Sequence, residues 1–482
     1  MRQRVAILVA AALLAGTAVA NPVQAVPMGS ITHWVAQSGT PIGTGTSCDD
    51  PGYVGSSQVA IFTAIDAANN GDTVHICAGE YVYTGNGSTF NKDNFTIRGE
   101  GPGVTILDGN SDWWLMNPAG AQNLRIEGIT FLSGYDGTYG AALALANSSV
   151  EIINCEFIDN EAGSYAGAIY TVTSDVSISS STFTNNSSGT DGGGAIYIED
   201  APAGVTITDS VFTENSSEWG GAIVVDNSNL VVNRSEFTDN YTDYVSVGMS
   251  ADYGGAGIYL YGGSLDVEGS AFRGNSTPDT SAGGAIHVFE GSLSVDRSEF
   301  SRNDAGQGPA IYSYGDGDPT YDLGALMTVT NSKFKRNVNS WDDGGAIAHE
   351  RNARDFTLIG NTFYRNAGAI YGGAVETWLV YGAMEIKRNT FTANSALEGG
   401  ALWLDIRNGV RDIRGNTFAR NRAVAGGAIA FECATSSDRF VARVLRRQGI
   451  FYGNRATSPR RSLNVYSSDY AGEGDIDCNP PG

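Results

Sequence analysis

Two tetrapeptides alternate along most of this chain, and their recurrence restricts the possible folds more than any other feature. F-x-x-N occurs eleven times: Phe157/Asn160, Phe183/Asn186, Phe212/Asn215, Phe237/Asn240, Phe272/Asn275, Phe300/Asn303, Phe334/Asn337, Phe363/Asn366, Phe391/Asn394, Phe418/Asn421 and Phe451/Asn454. Between these lies a small-small-Ala-aliphatic element, as in Gly193-Gly194-Ala195-Ile196, Gly220-Gly221-Ala222-Ile223, Gly283-Gly284-Ala285-Ile286 and Gly399-Gly400-Ala401-Leu402. Successive phenylalanines stand 25 to 35 residues apart. Ordered repetition at such a period marks a solenoid, in which each unit buries its apolar face only against its neighbours.

Each unit holds three short β signals and no helical period. In residues 193–212 they are Ala195-Ile196-Tyr197-Ile198-Glu199, then Val205-Thr206-Ile207, then Asp209-Ser210-Val211-Phe212. Three strands per unit predict a coil whose strands hydrogen-bond to the next coil about 4.8 Å away. The expected fold is all-β, a right-handed parallel β-helix of about a dozen three-strand coils. Each motif phenylalanine then points inward onto the phenylalanines above and below. Two residues before each of the ten phenylalanines from Phe157 to Phe418 stands Cys155, Ser181, Ser210, Ser235, Ser270, Ser298, Ser332, Asn361, Asn389 or Asn416, a small polar ladder at a corner. Cys155 occupies that ladder, which makes it a corner residue. Ser56 or Ser57 followed by Val59, Ile61, Phe62 and Ile65 predicts a capping helix over the open first coil. The organisation read from the chain is a signal peptide over 1–25, an N-terminal cap with irregular coils over 30–130, regular repeats over 131–455 and a C-terminal cap over 456–482.

Arg2 and Arg4 precede an apolar run from Val5 to Leu14, then small residues, as in a secretory signal. A secreted or outer-surface protein without a membrane span is expected. The formal net charge is −23, near −25 without Arg2 and Arg4. That sign opposes nucleic acid and anionic membrane as partners. A basic cluster from Arg439 to Arg461 reads as a solvated end. Five cysteines in an exported chain allow disulfides, and proximity pairs Cys48 with Cys77 and Cys433 with Cys478.

The alternating GGA-[ILV] and F-x-x-N tetrapeptides resemble the repeats of chlamydial polymorphic outer membrane proteins. AIDAANNGDTVHICAGEY and GEGPGVTILDG resemble the first coils of pectin-lyase-like β-helices. The resemblance spans about residues 56–455 and implies a surface-exposed or secreted adhesin or interaction scaffold. The chlamydial proteins end in an autotransporter barrel, which the residues after 455 leave no room for.

The register also yields a candidate face. After each GGA-φ the aliphatic residue points in, so the residues one and three places later point out. The first outward column contains Tyr170, Tyr197, Tyr259, His287, Tyr312, Glu376 and Trp403; the second contains Glu199, Asp226, Tyr261, Phe289, Tyr314, Glu350, Trp378, Asp405 and Glu432. Aromatics beside carboxylates suit an extended glycan or a protein partner. The candidate binding residues are Tyr197, Tyr259, Tyr261, His287, Phe289, Tyr312, Tyr314, Trp378 and Trp403. The alternative is a polysaccharide lyase or glycoside hydrolase using Glu350, Glu376, Asp405 and Glu432. Asp405 and Glu432 would stand one rung apart, Glu350 and Asp405 two, about 5 and 9.5 Å, which bracket retaining and inverting separations. No paired-Asp signature of polygalacturonases and no Arg-with-acids pattern of pectate lyases accompanies them. A third reading is a structural envelope protein, since exposed strands favour aromatic and charged residues for sheet propensity alone. No cofactor is expected except calcium, for which Asp316, Asp318 and Asp322 in one Gly-rich loop are the candidates. A monomer is expected.

Overall fold

The computed structural model describes residues 30–201, 203–243, 254–315, 324–340, 344–352, 354–406, 410–432, 449–457 and 465–468. Ile31–Gly482 forms one unit; of the other, Met1–Ser30, only Ser30 is described. The signal-peptide reading and the Cys433–Cys478 pairing therefore fall on residues outside the described ones, as does most of 456–482.

All strand pairs between coils are parallel, as the repeat requires. Three faces wind around one core. The first carries the strands that follow GGA-φ, such as Ile196–Glu199; the second carries strands such as Val205–Thr208; the third carries the F-x-x-N strands, such as Val211–Thr213. The first two faces merge into one 27-stranded sheet, because Ile223–Asn233 and Ile258–Glu268 run through both. The third face is a separate 14-stranded sheet.

The Phe column is continuous and fully inward. Neighbouring rings from Phe157 to Phe300 lie 4.6 to 4.9 Å apart and within 6° of parallel. Phe131 extends the stack by one coil before the first F-x-x-N, at 4.9 Å from Phe157, and Leu107 and Tyr81 hold the same place before it.

The asparagines form a second buried column. Asn215 Nδ2 donates to Phe183 O (3.0 Å) and to Asn240 Oδ1 (2.9 Å), and Asn215 N donates to the same Oδ1 (3.0 Å). The pattern repeats from Asn160 to Asn421 with Asn454 closing it. Each side-chain amide thus satisfies carbonyl and N–H groups that a corner would otherwise leave unpaired. The Ser/Asn ladder works alike at the other corner, with Ser210 Oγ accepting from Ser181 N at 3.2 Å. Cys155 takes its expected place there: its N–H donates to Ser181 Oγ (3.2 Å), and burial pushes its thiol up to about 12.

At both corners the tight bend sits one residue before the ladder residue. Asp159, Asn185, Glu214, Arg302, Arg336, Arg365, Ala393 and Arg420 all have φ between 53 and 58°. Gly274 and Gly453 take the same place at φ 65°. A side chain there costs about 1 kcal/mol against glycine. Ala393→Gly is therefore expected to stabilise the protein by about 1 kcal/mol, read as a raised denaturation midpoint. A lowered midpoint would contradict the assignment of the bend. In the GGA-φ element the two glycines differ in role. Gly193 supplies φ 75°, whereas a Cβ on Gly194 would stand 2.2 Å from Gly221 O.

The predicted helix runs over Gln58–Ala67 with Ser57 at its N-cap, although the Ser57 side chain makes no capping hydrogen bond. Ala60, Ile61, Phe62, Ala64 and Ile65 are buried against the first coil. The Cys48–Cys77 disulfide ties the cap region to that coil, as proximity predicted.

Candidate functional site

Strand pairing places both columns in the expected register. The first runs Tyr259, His287, Tyr312, Ala348, Glu376, Trp403, Ala430. The second runs Tyr261, Phe289, Tyr314, Glu350, Trp378 over five consecutive coils. Asp405 lies one coil beyond Trp378, but a register shift after Thr377 displaces it, and its Oδ2 accepts from Leu379 N at 3.0 Å.

The expectation that the first column faces solvent is wrong. Tyr197, Tyr259, His287, Tyr312, Glu376 and Trp403 are all buried. Part of the cover comes from residues just before a GGA-φ element, whose aromatics pack on the column. Tyr165 packs edge-on to Tyr197 (5.0 Å), Trp219 edge-on to Tyr259 (5.1 Å), and Tyr371 against Trp403 (4.7 Å). Burial of this kind raises the Tyr197 hydroxyl above its ordinary range. Of the second column, Glu350 and Asp405 are also buried, at 2% and 0% exposure; Tyr261 is exposed (42%), and Glu199, Asp226, Phe289, Tyr314 and Trp378 are half-buried. The side chain of Glu432 and the acids Asp316, Asp318 and Asp322 lie outside the described residues.

From Tyr261 to Trp378 the accessible part of the column is a narrow aromatic strip. Tyr261 and Phe289 are stacked at 5.5 Å and 2°, and Phe289 and Tyr314 at 5.8 Å and 21°. The rings therefore spend their faces on one another and present edges to solvent. The face of Tyr261 turned towards Asp226 carries no further ring among the described residues. Arg351, which the column pattern did not single out, joins the strip: its guanidinium lies 5.8 Å from the Tyr314 ring centre and 5.1 Å from that of Trp378, and its Nη1 donates to Tyr314 Oη at 3.1 Å. Its position directly after Glu350 in HERN was the only available signal. Beneath the strip, the Tyr312 hydroxyl donates to Glu350 Oε2 at 3.2 Å.

His287, expected in solvent, is sealed between the edges of Tyr259 and Tyr312, each 5.0 Å away, and neither ring nitrogen has a hydrogen-bond partner among the described residues. His349 points inward as its register predicts, with Nδ1 accepting from Ser313 Oγ (2.9 Å) and Asn352 Nδ2 (3.1 Å). Burial pushes both imidazoles from 6.5 down to about 3. Above pH 6.5 the folded and unfolded chains are both neutral at these sites. From 6.5 down to about 3 the unfolded chain takes up protons that the fold refuses, so stability falls as pH falls. His287→Phe should flatten that slope, measured as denaturation midpoints through this window. A slope unchanged from the parent would contradict a neutral, sealed His287.

One group elsewhere has the outline of a metal site: Cys48 Sγ, His75 Nε2 and Glu100 Oε1 lie within 4.8 Å of one another. Cys48 is bonded to Cys77, however, so no thiolate is available, and His75 and Glu100 pair directly at 2.7 Å.

Against this geometry the comparisons can be read. The profile of the right-handed β-helix region matches residues 71–241, 141–323 and 252–456. The chain belongs to the right-handed β-helix family. No curated protein matches this right-handed β-helix by sequence. Among solved structures, it is similar to the catalytic unit of a GH87 α-1,3-glucanase from Streptomyces thermodiastaticus, with TM-score 0.41 and 12% identity over 92% of this chain and 71% of that one. It is similar to PfbA, a surface adhesin of Streptococcus pneumoniae, with TM-score 0.39 and 12% identity over 88% and 94%. The mannuronan C-5 epimerase AlgE6 A-module of Azotobacter vinelandii gives 0.36 and 15% over 67% and 93%. At these identities the likeness is one of fold alone. No helix among the described residues is long and apolar enough to cross a membrane.

Proposed function

We propose that the protein is an extracellular, adhesin-like scaffold that holds an extended glycan along its first face and does not cleave it. The observation that carries this reading is the strip Tyr261, Phe289, Tyr314, Arg351 and Trp378, which keeps accessible rings and a guanidinium along five coils above the buried Tyr259, His287, Tyr312, Glu350 and Glu376. Tyr261, 42% exposed, offers the most accessible ring of the strip for contact with one sugar. The ring edges, the tyrosine hydroxyls and the Arg351 guanidinium offer hydrogen bonds and van der Waals contact to the sugars beyond it. The Cys48–Cys77 disulfide fits an oxidising compartment. The resemblance of the tetrapeptides to surface-protein repeats points the same way.

The lyase or hydrolase alternative needs carboxylates that reach substrate. Glu350, Glu376 and Asp405 are buried, and Glu350 and Asp405 accept hydrogen bonds from Tyr312 and Leu379. Their placement favours holding the strip over reacting beside it. The test is a panel of neutral and uronic glycans, with and without calcium, read for binding and for new reducing ends or unsaturated product. Tyr261→Ala with Tyr314→Ala should weaken binding about tenfold, with no product from any chain. Product that disappears in Glu350→Gln or Asp405→Asn would replace the scaffold by an enzyme. Silence in both readouts would leave a structural envelope protein.

A further inference from the structure

The residue before each ladder asparagine sits at an outer corner of the third face, on the sheet that does not carry the aromatic strip. Down the coils that column reads Asp159, Asn185, Glu214, Asp239, Gly274, Arg302, Arg336, Arg365, Ala393, Arg420, Gly453. The charge is segregated: acidic or amide through Asp239, then basic at Arg302, Arg336, Arg365 and Arg420, with neutral Ala393 and Gly453 among them. Except for the half-buried Gly274 and Ala393, these residues are exposed. The Phe stack just inside measures their spacing, since Phe300, Phe334, Phe363, Phe391 and Phe418 follow one another at 4.7 to 5.0 Å.

Each of these arginines holds φ between 55 and 58°, strain that glycine avoids at the same place in two other coils. None of the four has a carboxylate partner among the described residues, whereas Arg234 and Arg297 at the other corner are paired with Asp209 and Glu268. Arg365 instead lies over the Tyr364 ring, 5.0 Å from its centre. Beside the column, Arg273, Glu299, Ser301, Lys335 and Tyr364 complete a shallow hollow of about 300 Å³ that Arg302 and Arg336 also line. Arg273 and Lys335 are each engaged by one acid, Glu236 and Glu299. On a chain of net charge −23 such a run of unpaired guanidiniums is a local reversal of sign.

We propose that this basic column is a second binding site, for a linear anionic glycan that carries one acidic group per sugar and lies along the coil axis. Three features select that ligand. Guanidinium forks match carboxylate and sulfate oxygens in two-point geometry. Arg302, Arg336 and Arg365 on three consecutive coils at the rung spacing, with Arg420 two coils further on, match a polymer whose acidic groups repeat once per sugar rather than a compact anion. The acidic half of the same column, from Asp159 to Asp239, repels polyanions and so confines such a chain to the basic half of this corner. The site is independent of the aromatic strip and would anchor the protein to an acidic matrix while the first face remains open.

The experiment uses the full chain, titrated with polygalacturonate, with heparin as a sulfated glycan, with single-stranded DNA and with a neutral glucan, at low and at high salt. The variant is Arg336→Asn with Arg365→Asn, because Asn185 shows that asparagine accepts this backbone. Arg336→Lys with Arg365→Lys is the companion that keeps charge but loses the fork. The expected result is salt-sensitive binding of one or both acidic glycans, weakened about tenfold by the Asn pair and less by the Lys pair. The tighter of the two names the acidic group. Binding of the neutral glucan should not change. Equal acidic-glycan binding by parent and Asn pair, no acidic-glycan binding at all, or DNA bound as tightly as either glycan would each overturn the proposal. If only neutral-glycan binding fails, the first-face reading falls and this one stands.

Discussion

Asn303→Ala is expected to lower stability by about 4 kcal/mol, at four hydrogen bonds of about 1 kcal/mol each, and to do so locally. Asn303 lies near the middle of the asparagine column and is fully buried. Its Nδ2 donates to Phe272 O (3.1 Å) and Asn337 Oδ1 (3.0 Å), and its Oδ1 accepts from Asn275 N and Nδ2 (both 3.1 Å). Removing the amide strands groups that water cannot reach. Asn303→Asp should be worse near neutral pH, because one carboxylate oxygen would face two carbonyl-type oxygens. It should recover in part in acid, where a proton restores one donor. A solenoid's stability is close to a sum over neighbouring coils, so the loss should appear as earlier hydrogen exchange around Phe272 to Asn337, ahead of the distant coils. A cost below about 1 kcal/mol would mean that the column is decoration.

The second large effect is Phe300→Ala, expected to cost about 3–5 kcal/mol. Phe300 is fully buried with parallel rings 4.9 Å away on each side, Phe272 and Phe334. The neighbours cannot collapse into the gap without breaking the coil spacing that their own strands impose. Phe300→Leu keeps most of the volume and should cost about 1.5 kcal/mol or less. Lys333→Ala, on the exposed side of the next strand, is the control. If Phe300→Ala costs no more than Lys333→Ala, the core is not organised by this stack.

The parts of the fold that repeat were legible because each marker has one physical role. Phe stacks, Asn ties the corner, the first Gly bends and the second leaves room, and together they set which residues share a column. That reasoning placed Tyr261, Phe289, Tyr314 and Trp378 on neighbouring coils before any coordinates. It failed on exposure. Tyr259 and Trp403 have the strand position of surface residues, but Trp219 and Tyr371, each directly before a GGA-φ element, cover them, and His287 is enclosed by Tyr259 and Tyr312 of its own column. Periodicity aligns the position before GGA-φ but does not tell which of its varied residues turn onto the strand face. The bends at Glu214, Arg336 or Ala393 were equally hidden, since those residue types give no sign of a left-handed backbone; only the hydrogen bonds of the adjacent asparagine hold them there. The basic column became visible only once the register aligned residues about thirty positions apart.

The most direct test is affinity against chain length for a glycan bound at the first face. The strip spans four rung intervals, about 19 Å at the strand-to-strand distance. Oligosaccharides of the best-bound neutral glycan should gain affinity with each added sugar up to about that length and then level off, with no products formed. Affinity already saturated at one or two sugars, or shortening of the oligosaccharides during the titration, would contradict an extended, non-cleaving binding face.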